Sequence, residues 1–319
     1  MSKGGIYEDE EVKLLALPKY NYEFHKKTGY FRRWGATPEQ DPQCGLPEIA
    51  DIEITTICHG VRGILCPWCY KGNTPKGEYM PLDTFKAIHA KLPRSVTQIA
   101  FGVDSHCETN PHWHDIFKYC RENKYNFVVP NVTVADISDA TADELAKVCG
   151  AVAVSRYANA DACYDSVKKL TDRGMKQVNI HIMVSEETYP TVLETIGDRV
   201  TDPRLSKLNA IVLLSLKQKG RGVNHRPLAF DKFERIVAMA LDGNIGIGFD
   251  SCTCHKFLTA IKGRPNYAKY EQVSEPCEST CFSVYIDVHG DFYPCSFMPG
   301  TPGWETGISV LKAKNFMDI

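Results

Sequence analysis

The chain has 319 residues, 43% hydrophobic and 24% charged, with formal net charge −2. That is enough for one large domain with an appendage, or for two domains. A near-neutral balance leaves no basic stripe for nucleic acid, and no stretch approaches the roughly 18 apolar residues of a membrane span. The polar start M-S-K-G-G-I-Y-E-D-E-E lacks the apolar core of a signal peptide, so a cytoplasmic protein is expected. In that compartment cysteines stay reduced, and an odd total of thirteen also argues against full pairing.

In chain order, Tyr20, Tyr22 and Phe24 alternate and Lys27-Thr28-Gly29 can turn, which predicts a hairpin over 20–34. Its edge could receive a peptide strand, or it could serve as a plain barrel lid. Pro38, Pro42 and Gly45 mark a linker. Strands are then predicted over 51–57, 96–103, 125–132, 151–155, 177–184, 209–216 and 244–250. Between them, helices are predicted over 81–92, 111–122, 141–148, 162–174, 188–198 and 231–242. Thr141 with Glu144 reads as a capping box, and Gly174 as a helix stop. This alternation implies an α/β fold with a mainly parallel sheet, spaced for a partial barrel whose active site lies at the C-terminal strand ends. A doubly wound sheet is the alternative, but no G-x-G-x-x-G follows the first strand. After about residue 255 the pattern breaks into a short Cys-rich stretch, with two strands around His289-Gly290-Asp291. The expected divisions are 1–45, 46–255 and 256–319.

Cysteine is unevenly placed. Cys44, Cys107, Cys120, Cys149 and Cys163 stand alone and read as small buried hydrophobes. Cys58, Cys66 and Cys69 follow the first barrel strand with spacing C-x7-C-x2-C. A structural zinc takes four ligands, whereas a four-iron cluster on three cysteines keeps one iron open for a cofactor or substrate. Soft thiolates suit either metal.

The run Cys66-Pro67-Trp68-Cys69-Tyr70, placed after strand 1, resembles the radical S-adenosylmethionine (radical SAM) superfamily, whose triad is usually C-x3-C-x2-C. The first gap here is longer. The resemblance spans about 46–255 and implies a partial (β/α)6 TIM-like barrel. It also implies a [4Fe-4S] cluster on Cys58, Cys66 and Cys69, and S-adenosylmethionine (SAM) chelated to the open iron. One electron would then cleave SAM to a 5′-deoxyadenosyl radical that abstracts hydrogen from a substrate. Gly102-Val103-Asp104 stands where the family has Gly-Gly-Glu, so Gly102 and Asp104 are expected near the SAM amino group, although only the first glycine matches. Ser155 and Arg156 would meet the ribose or carboxylate, His181 and Asn179 the adenosine, and Trp68 and Tyr70 the adenine. Plainer uses stand beside these: a loop glycine at 102, an ion pair at Arg156, a core histidine at 181 and packing for the two aromatics.

Cys277, Gly290 and Cys295, spaced C-x12-G-x4-C, resemble the opening of the SPASM and Twitch extensions found on many such enzymes. That likeness implies one auxiliary [4Fe-4S] cluster on Cys277, Cys281, Cys295 and either Cys252 or Cys254, with Cys252 favoured. A structural zinc on the same thiolates is the alternative. The family further implies a flavodoxin- or ferredoxin-type electron donor. Its substrate would be a ribosomally made peptide or protein, with a precursor-recognition protein as a partner. The alternatives are a small-molecule or nucleoside dehydrogenase or mutase and, in a different class, a zinc-braced binding protein.

Overall fold

The computed structural model describes residues 5–43, 45–101, 107–123 and 128–319. The expectations placed on Gly102 and Asp104 lie outside the described residues. Strands β1 (Gly5–Glu8), β2 (Val12–Ala16), β3 (Asn21–His25) and β4 (Phe31–Trp34) form an antiparallel sheet in that order. Tyr20, Tyr22 and Phe24 are buried, as period-two alternation requires of one face.

The buried hydroxyls pin this sheet to the rest of the chain. Tyr20 donates to Glu48 Oε1 (2.6 Å) and Tyr22 to the Ser95 carbonyl (2.7 Å), while Lys13 Nζ donates to the Val96 carbonyl (2.7 Å). Glu48, Ser95 and Val96 all precede the strands that follow them. The N-terminal sheet therefore packs where those strands begin, at the end opposite their C-terminal loops.

The main sheet begins with β5 (Ile49–Ile52), α1 (Leu82–His89), β6 (Gln98–Phe101), α2 (Trp113–Glu122), β7 (Val129–Val134) and α3 (Asp139–Val148). It continues through β8 (Ala151–Arg156), α4 (Ala160–Asp172), β9 (Val178–Val184), α5 (Tyr189–Thr201), β10 (Ala210–Ser215), α6 (Phe230–Asp242) and β11 (Ile247–Phe249). Neighbouring strands from β5 to β11 are all parallel. Among the described residues β11 does not pair with β5, so the barrel is open. In β9, Val178, Ile180, Ile182 and Val184 are buried, while Asn179, His181 and Met183 are half-buried on the opposite face.

Two short helices, α7 (Cys254–Ala260) and α8 (Tyr267–Val273), lead to β12 (Ser283–Ile286), β13 (Asp291–Tyr293) and β14 (Ile308–Ser309). β12 lies parallel to β5, with Ser283 opposite Ile49, so this hairpin extends the main sheet at its open edge. Gly290 (φ 84°) makes its turn. No helix among the described residues is long and apolar enough to cross a membrane.

Local expectations shift in two places. The first barrel strand stops at Ile52, because Thr55 and Ile57 bridge instead to Tyr79 and Thr74. Helix α3 is capped by Ser138, whose hydroxyl accepts from Thr141 N (3.0 Å), while Thr141 Oγ1 donates to Glu108 (2.7 Å). Ser138 offers the same hydroxyl chemistry three residues earlier and begins the helix there.

Candidate functional site

The loop after β5 carries the first cysteines. Cys58 N donates to the Thr74 carbonyl (2.9 Å), closing the loop at its base. The long gap after Cys58 is taken up by a tight turn in which Val61 and Ile64 exchange backbone hydrogen bonds, each 3.0 Å. Gly60 adopts φ 68°, and a Cβ there would overlap the Ile64 carbonyl, so glycine is required. Val61 packs with Ala135, Ala162 and Tyr157, and Arg62 Nε donates to Asp136 (2.8 Å). The extra residues thus dock on the neighbouring β–α loops and return the chain to Cys66.

Cys58, Cys66 and Cys69 line one cavity of about 130 Å³ together with Trp68, Tyr70, Ser155, Arg156 and His181. It lies at the C-terminal ends of β8, β9 and β10. Ser155 and Arg156 close β8, and Ser155 lies in register with His181 on β9. Burial pushes the Cys66 thiol up to about 12; neighbouring Cys69 and Cys58 add to this, and Arg221 opposes it. Burial also pushes His181 down to about 4, partly offset by Asp250, so the ring is neutral near pH 7.

Arg156 is buried and ion-paired to Glu194 (3.1 Å), and it also donates to the Tyr157 carbonyl. Its Nε has no hydrogen-bond partner among the described residues. Trp68 packs its ring near Tyr157 (6.2 Å) and His225 (5.9 Å). Tyr70 turns partly away from the cavity: its hydroxyl donates to Ser296 (3.0 Å) and its ring contacts Phe297 (4.5 Å). Asn179 is not in the cavity. It shares a face with His181 but sits two residues lower, where it accepts from Asn209 (2.9 Å).

The second group of cysteines is arranged differently. Cys252, Cys277 and Cys281 are exposed, Cys295 is half-buried, and Cys254 is buried at the start of α7. Cys252 lies close enough to Cys277 and Lys217 for both to influence its thiol. Among the described residues no three Cys, His, Asp or Glu side chains converge as ligands of a single metal ion. A tetrahedral zinc with bonds of about 2.3 Å would hold its thiolates within roughly 4 Å of one another.

Sequence reading did not single out the segment 217–225, which touches both cysteine groups. Lys217 pairs with Asp250 (2.8 Å), Lys219 Nζ donates to the Phe297 carbonyl (2.9 Å), and Arg221 lines the thiol cavity. The only available signal was the run K-Q-K-G-R-G after a strand. The donor set suits an iron–sulfur cluster with an anionic cofactor. It offers three soft thiols in one cavity, with buried guanidinium atoms Arg156 Nε and Arg221 Nη2 that lack hydrogen-bond partners among the described residues.

No family model matches the chain, and no curated protein matches it in sequence. Among solved structures it is similar to SuiB of Streptococcus suis bound to S-adenosylmethionine, with TM-score 0.62 and 14% identity over 86% of this chain and 63% of SuiB. HydG, a maturase of the [FeFe]-hydrogenase, aligns with TM-score 0.46 and 12% identity over 62% of this chain and 50% of its own. BtrN in complex with AdoMet and 2-DOIA aligns with TM-score 0.40 and 12% identity over 86% of both chains. The chain spans less than two thirds of SuiB's length. The likeness to SuiB shows the fold: an α/β architecture whose parallel strands carry their loops to one open end.

Proposed function

We propose that the protein is a radical SAM enzyme. The observation that carries this reading is that Cys58, Cys66 and Cys69 line one cavity with Ser155, Arg156 and His181. The likeness to SAM-bound SuiB supports it. A [4Fe-4S] cluster held by these thiols would supply the electron that cleaves SAM to a 5′-deoxyadenosyl radical.

The chain's own residues bind and shield. Arg156 and Arg221 present N–H donors to the methionine carboxylate, and Ser155 offers a hydroxyl at the same strand end. Neutral His181 offers one ring donor or acceptor without adding charge. Trp68 walls the cavity and limits water near the reacting atoms. Cys252, Cys277, Cys281 and Cys295 hold an auxiliary cluster in this reading.

The substrate is a ribosomally made peptide or protein, modified by crosslinking, epimerisation or backbone excision, with electrons from a flavodoxin- or ferredoxin-type donor in the cytoplasm. A precursor-recognition protein is a further expected partner. The second reading is a small-molecule or nucleoside substrate.

Anaerobic reconstitution followed by iron counting and mass spectrometry of SAM products tests the reading. About eight irons per chain and 5′-deoxyadenosine under reducing conditions are expected. About four irons would remove the auxiliary cluster. Absence of 5′-deoxyadenosine would overturn the enzymatic reading.

A further inference from the structure

The segment 217–225 runs from the end of β10 onto the cysteine loop. Arg221 N donates to the Cys69 carbonyl (3.0 Å), its Nε to the Cys66 carbonyl (2.9 Å) and its Nη1 to the Asn73 carbonyl (3.1 Å). His225 Nε2 lies 3.1 Å from the Pro67 carbonyl. Gly220 (φ 54°) and Gly222 let this approach happen, since a Cβ at Gly220 would overlap the Cys69 and Tyr70 carbonyls. Lys219 Nζ reaches in another direction, to the carbonyls of Phe297 and Pro299 just beyond Cys295.

The loop 66–73 is also held by Tyr70 to Ser296 (3.0 Å) and by Lys71 to Tyr285 (2.7 Å) and Glu53 (3.3 Å), side-chain contacts that leave its backbone turn to other groups. Its own backbone bonds, Cys69 N to Cys66 O (3.4 Å) and Gly72 N to Cys69 O (3.3 Å), are long. Three charge-assisted or backbone bonds from one residue outweigh them. Arginine suits the task because its planar fork serves divergent acceptors, which a lysine ammonium on a flexible stem does poorly. After serving the loop, Arg221 keeps Nη2 buried and without a hydrogen-bond partner among the described residues.

We infer that Arg221 is a positioning residue that pre-organises the Cys66–Asn73 loop before iron enters, while Lys219 separately holds the 297–299 stretch beside Cys295. Its purpose rests on the reading of the three thiols as cluster ligands. Pre-ordering the loop lowers the entropy lost when the cluster binds.

The test begins with the metal-free full chain and amide hydrogen exchange read by mass spectrometry. Arg221→Ala should speed exchange in 66–73 by about tenfold and leave 295–299 unchanged, and Lys219→Ala should do the reverse. Arg221→Lys should resemble Arg221→Ala, and it decides the matter if the alanine variant fails to fold by circular dichroism. Parent-like exchange in 66–73 in a folded Arg221 variant overturns the inference. Reconstitution then reads the purpose. Arg221→Ala should take up iron several-fold more slowly than the parent chain, and equal uptake overturns the pre-organising role. A parent chain that binds no iron would defeat the cluster reading, while the exchange comparison still judges the positioning of the loop.

Discussion

The two groups of cysteines differ in how they are held. Cys58, Cys66 and Cys69 line one cavity, on a loop anchored by Thr74, Asp136 and Arg221. Cys252, Cys277 and Cys281 lie exposed; Lys217 acts on Cys252, and Cys281 N donates to the Glu278 carbonyl (3.1 Å). Thiols of the same chemical kind therefore stand in two environments, one lining a shared cavity and one exposed, and among the described residues neither group already gathers three ligands around one metal position. Metal binding at a site that the unfolded chain lacks adds to folding free energy, and a site that must also order its ligands gives part of that energy back. Spacing patterns alone do not separate these cases.

The sharpest way to break the contrast is to remove one thiol at a time. Cys58→Ala, Cys66→Ala and Cys69→Ala should each abolish 5′-deoxyadenosine formation. If Cys58→Ala keeps full iron and SAM cleavage, the long-gap cysteine is not a ligand. In the second group, Cys252→Ala should lower iron from about eight to about four per chain, read by colorimetric iron assay.

A control outside both groups is His89, buried in α1 with neither ring nitrogen hydrogen-bonded among the described residues. Burial pushes it from 6.5 down to about 4. The unfolded chain therefore takes up the proton first, so stability falls as pH drops from about 6.5 to 4 and levels off below. The full loss is about 3 kcal/mol, and His89→Leu should remove it in urea titrations at pH 4 and 7 without altering iron content.

Gly60→Ala should cost about 1–2 kcal/mol from its left-handed backbone, with the Ile64 overlap in addition. Its effect on iron should appear at the first site only. The smallest expected effect is Cys254→Ala. It removes a buried sulfur from the start of α7, should cost about 1 kcal/mol, and should leave iron unchanged.

Much of the barrel was legible because its signals are local. Val178, Ile180, Ile182 and Val184 alternate with Asn179, His181 and Met183, and the backbone pleat turns that alternation into two faces. Ser155, Arg156 and His181 could be placed near the site because strand ends carry the loops of an α/β barrel. Asn179 shows the limit of that reasoning. It has the right face but lies about 7 Å nearer the strand's beginning, so a correct periodicity still misplaced it. The Thr141 cap failed for a similar reason, since Ser138 offers equal chemistry one turn earlier and the docking of α3 chose between them.

Arg221 left no comparable trace. Its partners are backbone carbonyls, which every residue carries, at sequence separations of about 150 residues. The N-terminal hairpin is another such case. The sequence supports the strands, but only the contacts to Glu48, Ser95 and Val96 place the sheet at the far end of β5 and β6 from the thiols.

By itself the sequence determined the alternating α/β pattern, the cysteine groups and the strand ends where chemistry would gather, because pleat, helix period and thiolate chemistry act over a few residues. Only the tertiary structure decided the closed turn at Val61–Ile64, the open edge taken by β12 and the reach of Arg221 onto Cys66 and Cys69. Those depend on close packing between segments far apart in the chain, where a few ångströms decide which groups meet.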